Sequence, residues 1–258
     1  MTIPRIYFPD ITEENSLVDL GEENRNYIKN VLRLKPGERV TLFDGGGCEY
    51  DTTIKKITVH RVIVEVLGKA TILVPETQIT LAQAIPKSSK MDLIIQKATE
   101  LGAAGIIPFI SSRSIPKLTK RKMETRVARW RKIAVEASKQ CRRVTIPEVT
   151  DVLTFDEMLR KPAEPCLKII FWEEERQRDL KTILHDTEWN DVRAFHIVVG
   201  PEGGFSRQEV EKARMFSFLP ATLGSYILRT ETASLTVLSI LQYERGVFGT
   251  AHERNGIE

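Results

Sequence analysis

The sequence lacks the features that would assign it to a membrane, a secretory route or a metal site. No apolar run approaches the roughly 20 residues that cross a bilayer, and Met1-Thr2-Ile3-Pro4-Arg5 is not the start of a signal peptide. The three cysteines, Cys48, Cys141 and Cys166, are widely spaced, with no Cys-x-x-Cys pair and no clustered histidines beside them. We therefore expect a cytoplasmic protein without a membrane segment and without a structural metal.

The motifs of the common nucleotide and nucleophile sites are also missing. The chain contains neither the Gly-x-Gly-x-x-Gly dinucleotide fingerprint nor a Gly-x4-Gly-Lys-Ser/Thr phosphate loop, which disfavours a nicotinamide cofactor and ATP. No Gly-x-Ser-x-Gly elbow presents a serine nucleophile. His196 lies within an apolar run and is expected to be a core histidine rather than a catalyst.

What the chain does have is a glycine-containing loop between a strand and a helix. The apolar run Phe195–Val199 predicts a buried strand that ends at Gly200-Pro201-Glu202-Gly203-Gly204-Phe205-Ser206. Ser206 and Glu209 have the spacing of a capping box, so a helix is predicted directly behind the loop. Glycine has no Cβ, so the three glycines can take positive φ and let a ligand approach the backbone N–H groups.

A second stretch repeats this layout. The run Phe218–Leu223 leads to Gly224, and a helix is predicted to begin near Thr230. Two such loops at neighbouring strand ends can close on one small molecule, although simple tight turns would give the same pattern. Arg229 and Glu231 stand beside the second loop and could bind substrate or assist a proton transfer. For Glu231, a favourable position at a helix N-terminus is an equally good explanation.

Two different patterns divide the chain. Residues 1–73 contain short predicted strands, one helix near residues 24–33 and a glycine turn, Asp44-Gly45-Gly46-Gly47, between two of the strands. This pattern is typical of a small β-barrel. After a linker at residues 74–77, predicted strands and helices alternate through residues 77–258, which indicates a mainly parallel sheet. We therefore predict an α/β protein with a small N-terminal β domain.

Positive charge is concentrated in one region. The net charge is only +3, yet Arg113 to Arg143 carries an excess of ten positive charges. A helix predicted there has a buried stripe that includes Val127, Trp130 and Ala134, and its basic residues fall largely off that stripe. Such a face can hold nucleic acid phosphates, but it is also typical of a solvated helix. The basic candidates in this region and elsewhere are Arg5, Arg33, Lys87, Lys90, Arg113, Lys117, Lys120, Arg121, Lys122, Arg126 and Arg143.

The two glycine loops, together with motifs elsewhere, resemble those of a known family. Gly200–Ser206 and the pair Leu223-Gly224 with Ile227–Ala233 are similar to the RsmE family of ribosomal RNA methyltransferases, members of the SPOUT superfamily. Arg5–Phe8 and Gln96–Gly102 also match residues of that family, so the resemblance covers nearly the whole chain. Tyr27 and Ser225-Tyr226 depart from the residues common in that family, which leaves some RNA contacts and one basic contact near the cofactor open.

The resemblance implies a fold and an activity. It implies an N-terminal PUA-like barrel at residues 1–73 that holds RNA and a trefoil-knotted SPOUT methyltransferase domain at residues 77–258. It further implies a homodimer that uses S-adenosylmethionine to methylate N3 of one uridine in 16S ribosomal RNA. The alternatives are a SPOUT enzyme acting on another RNA and a non-catalytic RNA-binding or ribosome-assembly protein.

The resemblance also implies roles for individual residues. The expected cofactor contacts are Phe171, Gly200, Pro201, Glu202, Gly203, Gly204, Leu223, Gly224, Ile227, Leu228, Thr230 and Ala233. The expected RNA contacts are Arg5, Arg33, Lys87, Lys90, Arg113, Lys122, Arg126 and Arg143. Arg229 is the candidate for stabilising the anion that forms when uridine N3 loses its proton, and Glu231 is the candidate for accepting that proton.

Overall fold

A computed structural model describes residues 3–11, 16–114, 119–162, 165–189, 191–246 and 248. The chain divides into two compact units. The first comprises residues 1–74 together with residues 138–146, and the second comprises residues 75–137 together with residues 147–258. Residues 138–146 fall within the predicted second domain, and their place in the first unit was not expected from the sequence.

The first unit is built on a five-stranded sheet. Its strands are β1 (Arg5–Tyr7), β2 (Leu17–Asp19), β3 (Arg39–Phe43), β4 (Cys48–Ile57) and β5 (Val62–Thr71). They lie in the order β1-β3-β4-β5-β2, with β1 and β3 parallel and the remaining pairs antiparallel. The predicted turn at residues 44–47 joins β3 to β4, and Asp44 Oδ1 accepts hydrogen bonds there from the N–H groups of Gly46 and Gly47.

The sheet of the first unit encloses one apolar core. Alternate residues of β4 and β5 are buried, and the core gathers side chains such as Ile6, Leu42, Ile54 and Val64 from different strands. A sheet whose edge and central strands share one core must curl, as a small barrel does. One helix, α1 (Gly21–Asn26), continues into a π-helical turn at Tyr27–Val31, close to the helix predicted near residues 24–33.

Specific contacts explain why residues 138–146 pack with the first unit. Gly45 and Thr145 form a bridge between their backbones, and the N–H of Ile146 donates to the carbonyl of Gly45 at 3.1 Å. Arg5 Nη2 donates to the carbonyl of Arg143 at 3.4 Å. Contacts between residues about a hundred positions apart in sequence leave no periodic pattern, so the sequence could not indicate them.

The second unit is a seven-stranded parallel sheet with helices between its strands. Its strands are β6 (Gln78–Ala84), β7 (Gly105–Ile110), β8 (Glu148–Val149), β9 (Leu153–Thr154), β10 (Leu167–Phe171), β11 (Ala194–Val199) and β12 (Leu219–Ala221). Its helices are α2 (Lys90–Glu100), α3 (Lys120–Cys141), α4 (Phe155–Leu159), α5 (Leu180–Leu184), α6 (Arg207–Met215) and α7 (Thr230–Arg245), and Thr187–Trp189 forms a 3-10 turn. The strand order is β12-β10-β11-β6-β7-β8, and β9 also pairs with β7. The predicted alternation of strands and helices is confirmed.

The buried stripe predicted on the long basic helix is confirmed in α3. Val127, Trp130, Ala134 and Ala137 are buried. The indole N–H of Trp130 donates to Asp92 Oδ1 at 3.1 Å. Among the described residues, no helix combines the length and the apolar character that a membrane crossing requires.

The path from β12 to α7 sets the position of the functional site. β12 is the edge strand beside β10, whereas α7 packs on β6 and β11 at the centre of the sheet and on α2. The chain between Thr222 and Thr230 must therefore cross the carboxyl ends of β10 and β11, where their own loops lie. The predicted α/β class is confirmed, because a parallel sheet with helices between its strands forms the second unit and a small β sheet forms the first.

His196, on β11, belongs to the core as predicted, and it gives a prediction for stability. Its ring packs edge-on against Phe218, and its Nε2 finds no hydrogen-bond partner in the part of the chain that the structure describes. Burial, with a smaller contribution from Lys168, lowers the pKa of His196 from 6.5 to about 4. Between pH 6.5 and about 4, His196 is therefore protonated in the unfolded chain and neutral in the folded chain. The free energy of unfolding falls as the pH is lowered through this window.

A His196→Leu variant isolates this effect, because leucine does not titrate. Between pH 7 and pH 4 the free energy of unfolding of the native protein should fall by about 3 kcal/mol more than that of the variant. Urea unfolding at a series of pH values measures both curves. Parallel curves would show that the folded protein protonates His196 as readily as the unfolded chain does.

Candidate functional site

A cleft of about 520 Å³ lies at the carboxyl ends of β10, β11 and β12 in the second unit. Ligands of open α/β sheets commonly bind at this end of the strands. All the residues predicted as cofactor contacts line this cleft. They are Phe171, Gly200, Pro201, Glu202, Gly203, Gly204, Leu223, Gly224, Ile227, Leu228, Thr230 and Ala233. The structure thus brings these residues together, and their contact with a cofactor stays a prediction.

The first glycine loop is held at its far end by the predicted capping box. Ser206 Oγ accepts from the N–H of Glu209, and Glu209 Oε2 accepts from the N–H of Ser206 at 2.9 Å. Glu209 also accepts from the N–H and the hydroxyl of Ser112, each at 2.8 Å. Burial alone would raise the pKa of Glu209, but these hydrogen bonds outweigh it and hold the pKa below its usual range. The carboxylate therefore stays charged and fixes the loop to α6.

The glycines of the cleft serve different purposes. Gly204 has φ +64° and Gly224 has φ +117°, whereas Gly200 and Gly203 are outside the positive-φ region. A Cβ at Gly200 would lie 3.2 Å from the ring of Phe205, so the ring would have to shift by a few tenths of an ångström. A Cβ at Gly203 would only touch the Cβ of Arg113 at 3.4 Å.

Two carboxylates line the cleft, and their surroundings differ. Glu202 accepts from the N–H of Lys87 at 3.2 Å and pairs with Lys90 Nζ at 3.1 Å. Burial raises the pKa of Glu202, but these partners outweigh burial and hold it below its usual range. Glu173 lies with its carboxylate against Gly204, so a side chain at position 204 would collide with it. Among the described residues, Glu173 has no ion-pair partner.

The two predicted catalytic residues have different positions. Arg229 lines the cleft as the N-cap of α7, and its exposed guanidinium makes no hydrogen bond or ion pair with any residue described. Glu231 is not among the residues that line the cleft, and its carboxylate lies 3.1 Å from Lys90 Nζ. Hydrogen bonds that Lys90 donates to the carboxylates of Glu202 and Glu231 raise the pKa of Lys90. Of the two, only Arg229 is positioned as a free group facing a ligand.

The residues predicted to contact RNA differ in how exposed they are to solvent. Arg33, Lys87 and Lys122 are exposed, and Arg126 is half-buried on α3. Arg113 is exposed, but its Nη1 donates to the carbonyl of Gly203 at 2.7 Å. Lys117 lies outside the described residues.

The other predicted RNA contacts are engaged within the protein. Lys90 is paired with two carboxylates, as described above. The side chain of Arg5 is only 9% exposed, pairs with Glu49 and stacks over Phe43. Burial lowers the pKa of Arg143. Arg5 and Arg143 therefore make contacts within the first unit, and their contact with RNA stays a prediction.

Sequence reasoning missed several residues of the site. Glu173 and Arg176 line the cleft after β10, whereas the prediction ended with Phe171 and the end of the Leu167–Trp172 strand. Gln83 is completely buried on β6 and bonds to the first glycine loop. The available signal for Gln83 was a long polar side chain inside the apolar run Ile79–Ala84, because buried amides must find partners.

Comparison with known families gives two matches. Residues 74–242 match the family model of an RNA methyltransferase domain. Residues 20–67 match the family model of an RNA methyltransferase PUA domain. The first match covers most of the second unit, and the second lies in the first unit.

Curated relatives and solved structures are similar over nearly the full chain. Ribosomal RNA small subunit methyltransferase E of Buchnera aphidicola is 32% identical, with 95% of each chain covered. The protein of the same name from Bacillus subtilis is 31% identical, with 92% of this chain and 96% of its own covered. The Neisseria gonorrhoeae protein of that name, solved with bound S-adenosyl methionine, is 35% identical with a TM-score of 0.86, and covers 96% of this chain and 100% of its own. A Legionella pneumophila putative methyltransferase, also solved with this cofactor, is 34% identical with a TM-score of 0.82, and covers 94% and 98%.

Proposed function

Because the chain belongs to the family of ribosomal RNA small subunit methyltransferase E, we propose that it transfers a methyl group from S-adenosylmethionine to N3 of one uridine in 16S ribosomal RNA. The observation that carries the proposal is the single cleft into which the two glycine loops and the end of β10 converge. A PUA domain in the first unit supports RNA as the substrate.

The residues of the cleft suit this cofactor. Gly204 and Gly224 take positive φ and carry no Cβ, so a ligand can approach the main chain there. S-adenosylmethionine carries two positive charges, on its sulfonium and its ammonium, and one negative charge, on its carboxylate. The cleft offers Glu173 and Glu202 as anions for the two positive groups and Arg176 as a cation for the carboxylate, which leaves Arg229 for the RNA. Its charges are therefore complementary to the ligand.

The chain's own residues would act by position and charge. When bound, the cofactor supplies a methyl group on a positively charged sulfur that leaves as a neutral thioether. Uridine N3 carries a proton and is a poor nucleophile until that proton is lost, which places negative charge on the base. Arg229 stabilises that charge from the rim of the cleft, and the loops align the reacting atoms. Glu231 would accept the proton only if its contact with Lys90 were released.

The proposal includes an RNA surface and a second copy of the chain. Lys122, Arg33 and Lys87 are the exposed basic residues that we assign to phosphate contacts. Tyr226 and Ile227, at the rim of the cleft, are 85% and 88% exposed, and large exposed apolar side chains commonly mark an interface. We assign them to a homodimer, and we place the protein in the cytoplasm, where ribosomal RNA is modified.

Two measurements test the function. Calorimetric titration with S-adenosylmethionine should give binding to the native protein. Mapping of methylated uridines in 16S ribosomal RNA should then find one N3-methyl group that is absent from a deletion strain and restored by the native gene. Cofactor binding with the methyl group in another RNA would identify a different SPOUT substrate. RNA binding without cofactor binding, with or without RNA present, would identify a non-catalytic protein.

The charge of Glu173 gives a further prediction. Glu173→Gln should weaken S-adenosylmethionine binding by about fivefold, because one partly exposed charge pair contributes about 1 kcal/mol. If Glu173 faces the sulfonium, the loss should be smaller for S-adenosylhomocysteine, whose sulfur is neutral. Calorimetry with both ligands measures the difference.

Glu174→Gln is the matched control, because Glu174 is the next residue, is exposed and does not line the cleft. It should leave both affinities unchanged. Equal losses of affinity for both ligands in Glu173→Gln would indicate that Glu173 contacts the ammonium rather than the sulfonium. No loss for either ligand would remove Glu173 from cofactor recognition.

A further inference from the structure

We infer that Gln83 and Thr230 are positioning residues that hold the first glycine loop in its cofactor-binding geometry. The inference rests on the proposed function, because the loop they hold is the proposed cofactor site. It also assigns Thr230 a different role from the direct contact predicted from the sequence: its hydroxyl is used by the protein and is not available to a ligand.

The two residues belong to a buried network that joins three elements. Thr230, the first residue of α7, donates through Oγ1 to the carbonyl of Gly200, just after β11, at 2.6 Å. Gln83, on β6, donates through Nε2 to Thr230 Oγ1 at 3.0 Å and to the carbonyl of Ala84 at 2.9 Å. Ser234, one turn further along α7, donates to Gln83 Oε1.

The chemistry of the partners fixes the direction of each bond. The carbonyls of Ala84 and Gly200 can only accept, so the nitrogen of the Gln83 amide must face them and its oxygen must face Ser234. Because Nε2 can only donate, Thr230 Oγ1 accepts from Gln83 and directs its single hydrogen to Gly200. The bonds of Gln83 and Thr230 are therefore fixed in direction, whereas the single hydrogen of Ser234 has two acceptors in reach, Gln83 Oε1 and the carbonyl of Thr230 at 3.0 Å.

This arrangement controls the entry to the loop. The carbonyl of Gly200 sets the orientation of the peptide that leads into Pro201, whose ring already restricts φ. The same network ties this loop to the first residue of α7. Buried hydrogen bonds in an apolar setting are costly to break, so the network holds the two loops of the cleft in a fixed position relative to each other.

Three single substitutions separate positioning from general stability. Thr230→Val removes the hydroxyl and keeps the branched shape, whereas Thr230→Ser keeps the hydroxyl and removes a methyl group. Ser234→Ala leaves the bond from Thr230 to Gly200 in place but deprives the Gln83 oxygen of its donor. Binding of S-adenosylmethionine is measured by calorimetry, and thermal unfolding is measured on the same preparations without ligand.

We expect Thr230→Val to lower the affinity for the cofactor and Ser234→Ala to lower only the thermal stability. Thr230→Val should bind the cofactor about tenfold more weakly, as the loss of one net hydrogen bond implies. Thr230→Ser should restore the affinity to within about threefold of native, and Ser234→Ala should lower the melting temperature with unchanged affinity. With cofactor saturating, the methylation rate of Thr230→Val should return to the native value, so that KM changes and kcat does not.

Equal affinities for Thr230→Val and native protein would overturn the inference while leaving the proposed function intact. Equal losses of affinity in Thr230→Val and Ser234→Ala would also overturn it, because they would reflect stability alone. If Thr230→Val does not fold, Gln83→Leu takes its place with the same expected loss. Failure of the native protein to bind S-adenosylmethionine would instead refute the proposed function, and the inference with it.

Discussion

Replacement of Arg229 by alanine is expected to slow methyl transfer by about 100- to 1000-fold when cofactor and RNA are both saturating, the usual cost of removing one group that stabilises developing charge. The reason is that Arg229 is the exposed cation at the rim of the cleft that has no protein partner among the described residues. Its side chain makes no capping bond to α7, so the substitution removes the charge without weakening the helix. Single-turnover rates on 16S ribosomal RNA measure the effect.

Two variants control for this prediction. Arg229→Lys keeps a positive charge and should recover part of the lost rate. Arg207→Ala removes an exposed cation on α6 that does not line the cleft, and its rate should be native. Affinity for S-adenosylmethionine should stay within about threefold of native in all three variants, because the role is assigned to the transition state. A native rate for Arg229→Ala would remove Arg229 from the chemistry.

Replacement of Gly204 by alanine is expected to weaken S-adenosylmethionine binding by about 30-fold. Gly204 has φ +64°, and a residue with a Cβ pays about 1 to 2 kcal/mol in that region. The added carbon would also collide with the carboxylate of Glu173, which must move. The loop relieves this strain by leaving its native geometry, so ligand binding must supply the energy to restore it. Calorimetric titration measures the loss.

The neighbouring glycine provides a matched control. A Cβ at Gly203 makes an ordinary contact at 3.4 Å with Arg113, and Gly203 is not in the positive-φ region. Gly203→Ala should therefore bind the cofactor within about threefold of the native protein, the loss expected when no strain is introduced. Equal affinities for the two alanine variants would show that the loop tolerates a side chain at either position.

Local signals in the sequence were enough to predict the main features of the second unit. The capping box of Ser206 and Glu209 and the buried stripe of α3 each depend on residues within a few turns of one another. The glycine loops are also local, so their convergence on one cleft could be expected from strand ends alone. Features of this kind can be predicted from the spacing of residues in the sequence.

Contacts between distant residues could not be predicted in the same way. Arg5 pairs with Glu49 and donates to Arg143, and nothing in the spacing of these residues indicates that the two arginines face inwards. Lys90 meets both Glu202 and Glu231 only because α2, the loop after β11 and α7 come together in the fold. Which glycine takes positive φ also depends on the course of the loop, and the sequence alone allows it at each one.

The route of the chain from β12 back to α7 has a consequence for how the protein folds. The last helix packs on α2 and β6, whose residues come more than a hundred positions earlier, and contacts of such long range make folding slow. During synthesis these partners emerge long before α7 does, so the nascent chain can arrange most of the parallel sheet while the cleft still lacks Leu223 to Ala233. We therefore expect the ability to bind cofactor to be the last property the chain acquires, appearing only when its C-terminal helix has docked.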